Sequence, residues 1–419
     1  MTRIKIYSFL LVAKLMEKEN PMRARELLHK LFDSTFEIDK RIKTALFAAT
    51  ESLIGCRVLS INALGRSLSS TASVKHCIKR VDRLFGNRTL QERTSAIYKI
   101  MSHYYLKNNK RPVVIIDASG LTPCGTFHFL RAAIPTEGRT LTLYDEIHTV
   151  NSLNQEKSHL NFLSCLKHIL PVDSKPIIIT DAGFRNTWFK KVNALGWDYI
   201  GRIRHQTQYK SVTQPKWLPV KSLYSLAKLQ ALSIGRVLLA KSNPLPCYFY
   251  LIRQKKKYRV RKNLAGRKIQ CSASLKHAKR GNEPWLIASS IPETDLRAEE
   301  IIALYKKRMQ IEEAFRDLKN TRNGLGLRHC RSYSMKRLSV ALLIANLSML
   351  SLWVFGLAAR QRKLHYSFQS NTEKKKNVLS NIIIGWQVLQ RREIKFYGKD
   401  LSLKKLMPSF SYPNRRFTC

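Results

Sequence analysis

Acidic side chains are scarce in this chain: 28 Asp and Glu stand against 75 Lys and Arg, a formal net charge of +47. A compact monomer with that imbalance repels itself, and a large polyanionic partner is the simplest source of the missing negative charge. Nucleic acid is the expected partner; an anionic membrane surface and a merely very basic soluble protein are the blander readings. Cysteine pairs are lacking too. Cys56, Cys77, Cys124, Cys165, Cys247, Cys271, Cys330 and Cys419 are scattered, with no CxxC and no His/Cys spacing suited to zinc. That excludes a zinc-ribbon framework and points to a reducing, cytoplasmic compartment. An export signal is also missing, because Lys14 interrupts the apolar run from Ile6 to Ala13 and no small-residue cleavage site follows. Internal repeats and low-complexity tracts are absent as well, so the chain is neither a repeat array nor disordered. One apolar run, Val340 to Ala359, is long enough to span a bilayer. It carries Asn346, Ser348 and Ser351, and it is expected as a buried helix of a C-terminal bundle, with no membrane partner.

At 419 residues the chain suits two to four domains of about 100–200 residues each. Residues 1–21 are expected to be an extension outside the fold, since Met22 could itself begin the chain. Residues 22–108 read as a helical DNA-binding domain. Within it, two helical patterns from Leu59 to Gly86 flank a break at Ser69-Ser70-Thr71. On the second, Val74, Cys77, Ile78, Val81, Leu84 and Phe85 share one side, and Lys75, Lys79, Arg80 and Arg83 share the other. That is the outline of a helix-turn-helix with a basic outer face. An ordinary amphipathic surface helix gives the same pattern, so the DNA reading leans on the global charge.

From residue 109 the pattern changes. Pro112 to Ile116 is a short buried-strand run ending in Asp117, Phe127 to Ala133 and Thr140 to Ile147 read as strands, and Ser158 to Ile169 as a helix. Pro176 to Thr180 is a second buried strand ending in an acid, Asp181, followed by a helix from Phe184 to Ala194 and a strand from Trp197 to Arg202. This order predicts an α/β fold: a ribonuclease-H-like catalytic core over residues 109–325. Residues 205–283 interrupt it as a β-rich insertion. There, nine of the sixteen residues from Arg253 to Lys268 are Lys or Arg, read as a phosphate-contacting arm. Trp285 to Ser289 returns to the sheet, one long helix is expected from Asp295 to Asn320, and residues 326–419 read as a C-terminal helical domain for dimerisation with a basic tail.

Two aspartates at the ends of buried strands stand side by side if those strands are neighbours, and like charges meet only where a cation or proton neutralises them. Mg²⁺ prefers carboxylate oxygen and keeps waters for substrate. Two such ions about 4 Å apart can activate a nucleophile and stabilise the leaving oxygen of a phosphodiester displacement; Mn²⁺ is the expected substitute. The bland alternative is that both acids merely cap their turns. On the expected long helix, Tyr305, Arg308, Glu312 and Lys319 fall within an arc of roughly 60°, and Glu313 lies off it. Glu312 on metal, with Arg308 and Lys319 on phosphate oxygens, is sensible equipment for gripping a phosphodiester. Surface i,i+4 ion pairs would look similar.

Tyr305, Arg308, Glu312 and Lys319 have the Y-x2-R-x3-E-x6-K spacing, and Asp117-Ala-Ser119 and Asp181-Ala-Gly-Phe184 resemble a first and a second acidic motif. With stretches such as IKRVDRLFGNR, KRMQIEEAFRDLK and GLGLRHCR, the chain from about residue 22 onward resembles bacterial insertion-sequence DDE transposases of the insertion-sequence-four (YREK) family. The resemblance implies Asp117, Asp181 and Glu312 as catalytic metal ligands, and Tyr305, Arg308 and Lys319 as contacts to the cleaved DNA. It further implies that Trp285, by itself an ordinary core tryptophan, stacks on a flipped base. The implied partners are double-stranded DNA, as terminal inverted repeats and as target, and a second copy in a synaptic dimer. The implied chemistry is cut-and-paste transposition through a hairpin intermediate. A nuclease of the same fold and a non-catalytic DNA-binding descendant are the competing readings.

Overall fold

Strands buried on both faces are built from continuous apolar runs, not from alternating ones, and Val113–Ile116 and Ile177–Ile179 are two such runs. In the computed structural model they are neighbours at the centre of a sheet. Residues 21–32, 38–106, 109–204, 207–255, 283–370, 372–373, 378–402 and 406 are described. All but the last residue of the expected extension (residues 1–21), the basic arm beyond Lys255 and the C-terminal tail from residue 407 lie outside them. The strands are β1 (Val113–Gly120), β2 (Phe127–Pro135), β3 (Thr140–Thr149), β4 (Ile177–Thr180), β5 (Asp198–Ile203), β6 (Gln208–Ser211), β7 (Leu218–Pro219), β8 (Leu232–Leu239), β9 (Leu245–Ile252) and β10 (Trp285–Ser289). Their order across the sheet is β3-β2-β1-β4-β5-β10-β9-β8-β6-β7. β1 runs antiparallel to β2 and parallel to β4, and β4 runs parallel to β5. β10 is antiparallel to both β5 and β9. The strands of the β-rich insertion therefore make no sheet of their own. They extend the central one through β10, because the paired edges of β5 and β9 accept that strand between them.

Helices precede, cover and follow the sheet. α1 (Ala24–Phe32), α2 (Lys40–Cys56), α3 (Ile61–Arg66), α4 (Val74–Phe85) and α5 (Arg88–Leu106) come first; α6 (Val150–Leu153), α7 (Glu156–Ile169) and α8 (Asn186–Ala194) lie among the strands. α9 (Ala298–Lys306), α10 (Met309–Lys319), α11 (Met335–Gln361) and α12 (Asn381–Gln390) follow β10. The described residues divide into two compact units. One takes residues up to 104, 121–127 and from 315 onward; the other takes 105–120 and 128–314. In the first unit α3 and α4 are the helical pair expected between Leu59 and Gly86. α4 buries Cys77, Val81, Leu84 and Phe85 and leaves Lys75, Lys79, Arg80 and Arg83 exposed. Val74 departs from expectation: as the first helical residue it lies beyond the packed turns and is 51% exposed.

The long apolar run folds as α11, long and apolar enough to cross a membrane, yet 94% of its most apolar window is buried inside the protein. Its polar residues find protein partners. Asn346 donates to the Tyr98 hydroxyl at 3.0 Å, and Ser348 to the Thr50 carbonyl at 3.2 Å. α12 crosses α11 at backbone contact: a Cβ on Gly356 would lie 1.7 Å from the Asn381 carbonyl oxygen, and one on Gly385 would lie 1.8 Å from that of Leu352. Neither obstacle is a flexible side chain, so Gly385→Ala is expected to force the helices apart and cost about 1–3 kcal/mol or more. Urea unfolding checks this; an unchanged midpoint would mean that the helices do not pack as closely as described.

Candidate active site

The parallel register pairs Val113 with Ile177 and Ile116 with Thr180, and the next residue on each strand is an aspartate. Asp117 and Asp181 therefore sit side by side at the carboxyl ends of neighbouring strands. One detail differs from expectation. β1 does not end at Asp117 but continues to Gly120 against β2, with Asp117 opposite Arg131. β4 stops at Thr180, so Asp117 has strand pairing on the β2 side only. Asp117 Oδ1 accepts the Ala118 N–H at 2.8 Å, and Asp181 Oδ1 accepts the Gly183 N–H at 2.8 Å. A Cβ at position 183 would stand 3.0 Å from Asp181 Oδ1, so glycine there leaves the carboxylate its room.

The third acid arrives on a helix that is not continuous, which corrects the single helix expected from Asp295 to Asn320. α9 ends at Lys306 and α10 begins at Met309. Between them the backbone makes i→i−3 bonds, Lys307 N–H to Leu304 and Arg308 N–H to Tyr305, each at 3.0 Å, a tighter winding than an α-helix. No glycine or proline marks the break. Its tertiary counterpart is Arg308, whose guanidinium reaches across to β1. Nη1 donates to Asp117 Oδ2 at 3.1 Å and Nη2 to Glu312 Oε1 at 2.7 Å. The shared face of Arg308 and Glu312 survives the break. Glu313 points elsewhere, its Oε2 3.9 Å from Arg139 Nη1.

Charge at this cluster is unbalanced. Burial pushes the Asp117 carboxyl up to about 7; Arg308 opposes the rise, while the charges of Asp181 and Glu312 add to it. Burial disfavours the Arg308 charge, but Tyr305, Asp117 and Glu312 outweigh that and hold its pKa above the usual arginine range. Arg308 thus bridges two of the three carboxylates, Asp117 and Glu312, and Asp181 adds its charge beside Asp117. All-oxygen donors in negative excess suit a hard divalent cation. Among the described residues, however, no three acidic, His or Cys side chains already stand together as a preformed metal cage. Arg308 lies between Asp117 and Glu312, where it takes up negative charge that a cation would otherwise neutralise.

Tyr305 is buried, 3% exposed, and meets the Trp285 ring edge-on with centroids 5.2 Å apart. It backs Trp285, and Arg308, Arg202 and Asp181 lie within electrostatic reach of its hydroxyl. Trp285 is half-buried, with the Arg202 guanidinium 5.7 Å from its ring centroid. Arg202 and Arg204 escaped the sequence reading, although cations two apart at the end of β5 were the available signal. Burial lowers the Arg202 pKa to about 10 and the Arg204 charge adds to the effect. Lys319 lies on the last turn of α10, its Nζ 5.7 Å from the centroid of the Phe315 ring. It and the exposed Lys75, Lys79, Arg80 and Arg83 belong to the other unit.

A family model described as "Transposase DDE domain" matches residues 108–351, more than half of the chain. No curated protein matches the sequence. Among solved structures, the chain is similar to the cryo-EM structure of a piggyBac transposase synaptic complex with hairpin DNA, at 12% identity and a TM-score of 0.41 over 90% of this chain and 74% of that one.

Proposed function

This chain belongs to the transposase DDE domain family, and on that premise we propose that it is the cut-and-paste transposase of a bacterial insertion sequence, with Asp117, Asp181 and Glu312 as its metal-holding carboxylates. The carrying observation is a pair of adjacencies: strand register sets Asp117 beside Asp181, and Arg308 ties Asp117 to Glu312. The order β3-β2-β1-β4-β5 supports a ribonuclease-H-like core. The net charge of +47 supports duplex DNA as partner, both terminal repeats and target.

Two Mg²⁺ ions, or Mn²⁺ in their place, would supply Lewis-acid activation of a water or 3′-hydroxyl and stabilisation of the leaving oxygen. The protein's own groups do the rest. Arg308 releases the two carboxylates and takes a phosphate oxygen, for which its fork of donors is equally suited. Tyr305 holds the Trp285 indole by its edge, so that the ring can stack on an unpaired base as the cut end folds into a hairpin, a contact of about 1–3 kcal/mol. Lys319 grips backbone phosphate, and the basic face of α4 binds the element end in a complex that pairs two copies. The test is incubation of the full chain and Mg²⁺ with DNA bearing the inverted repeats that flank its gene. Hairpin ends and strand transfer are expected. Cutting without joining would point instead to a nuclease, and binding without cutting to a non-catalytic descendant.

A pH dependence follows. Metal must displace the Asp117 proton, held up to about 7, so Mn²⁺ affinity is expected to rise by up to about tenfold per pH unit below that value and level off above it. Without metal the folded state holds this proton more tightly than the unfolded chain, so its stability contribution falls as pH climbs from about 4 toward 7. Calorimetric titration of Mn²⁺ across this range checks the slope; a flat profile would remove Asp117 from the ligand set.

A further inference from the structure

We propose that the chain grips duplex DNA on a surface assembled from three segments far apart in sequence, with α4 lying between two cationic grooves. The inference rests on the reading that this protein binds DNA, and it assigns contacts outside the helix-turn-helix. On one flank of α4 is a groove of about 420 Å³, where Arg41 of α2 joins Arg80 and Arg83, with no acid in its lining. On the other flank is a groove of about 840 Å³, where Arg331 and Arg337 join Lys79. Asp82 is the single acid in that second lining.

A helix that enters a major groove runs between two phosphate backbones and needs cations on both sides. The outward arc of α4 spans roughly 140° from Lys75 through Lys79 and Arg83 to Arg80. α2 and the segment before α11 continue that arc on either side. Asp82 pairs with Arg337 at 2.5 Å, with 56% and 28% of the two side chains exposed. A pair so accessible to water is worth little, and a phosphate oxygen can replace the carboxylate. Until then Asp82 holds Arg337 at the groove wall. Tyr333 is 81% exposed in the same lining, where its hydroxyl can donate to a phosphate. Charge of one sign on both flanks of a helix fits a duplex, whose two backbones lie on either side of the groove.

The experiment is fluorescence anisotropy of the full chain with a labelled mixed-sequence duplex of about 30 base pairs, repeated over a range of salt. Arg41→Ala, Arg331→Ala and the pair Arg331→Ala with Arg337→Ala are compared with Lys75→Ala and Arg80→Ala. Each lost phosphate contact is expected to reduce the slope of log K against log salt by about 0.9. Asp82→Asn should tighten binding. Arg331 is exposed, so its variant reports on binding without a folding defect, which melting curves verify. If the flank variants bind like the wild type while Lys75→Ala and Arg80→Ala weaken binding, the three-segment surface is overturned and DNA binding through α4 stands. If the wild-type chain fails to bind the duplex, both are overturned.

Discussion

Asp117→Ala, Asp181→Ala and Glu312→Ala are each expected to abolish strand cleavage, by at least about a thousandfold, while duplex binding by the basic helical face persists. A loss of that size corresponds to more than about 4 kcal/mol of transition-state stabilisation, beyond what a misplaced surface charge produces. The separation of effects follows from where the groups lie. The acids occupy one compact unit, around β1, β4 and α10, and Lys75, Lys79, Arg80 and Arg83 occupy the other. Asp117→Ala has a further signature. Because burial raises the Asp117 pKa, its ionised form is costly in the metal-free fold, and removing it should leave the metal-free melting temperature unchanged or higher. The upward shift caused by Mn²⁺ in the wild type should vanish in the same variant. Cleavage at wild-type rate in any of the three would remove that residue from the site.

The largest effect on stability is expected one strand away. Arg131 on β2 donates Nε and Nη2 to the two oxygens of Asp145 on β3, at 2.7 and 2.6 Å, and the side chains are 2% and 1% exposed. Two buried charges held in a fork are tolerable together and not singly. Asp145→Ala leaves a guanidinium in the core and should cost about 3–5 kcal/mol, whereas Arg131→Met combined with Asp145→Leu should recover most of that loss. Urea unfolding of the three variants measures it. Equal destabilisation of the single and double variants would mean that the pair positions the strands through more than its charge. Arg131 also faces Asp117 across β1 and β2, so a soluble Asp145 variant should show weakened Mn²⁺ binding as well.

Much of the site was legible because it depends on strand chemistry. A short apolar run ending in an acid, repeated once, predicted two buried strands; that they are neighbours, in the register that unites Asp117 with Asp181, is a matter of tertiary pairing. The break between α9 and α10 was not legible. Its sequence, Tyr305 to Met309, contains good helix formers, and its conformation goes with a contact between Arg308 and a residue far away in the chain, which local propensity does not report. The same break makes rotation angles unreliable across it; Tyr305 is buried against Trp285, with Arg308 still within electrostatic reach of its hydroxyl. The destination of β6 to β9 was hidden for a related reason: short strands declare a sheet but not which one. Nothing in the sequence alone couples Asp145 to Arg131. Only the pairing of β2 with β3 buries them.

The central claim is that Asp117, Asp181 and Glu312 hold one divalent centre. Iron-directed oxidative cleavage tests it most directly, with Fe²⁺, ascorbate and peroxide added to the full chain and the fragments mapped by mass spectrometry. Backbone cuts beside residues 117, 181 and 312, suppressed by excess Mg²⁺ and lost in Asp117→Asn, are expected. Cuts confined to other segments, or a pattern indifferent to Mg²⁺ and to that substitution, would contradict a shared carboxylate centre.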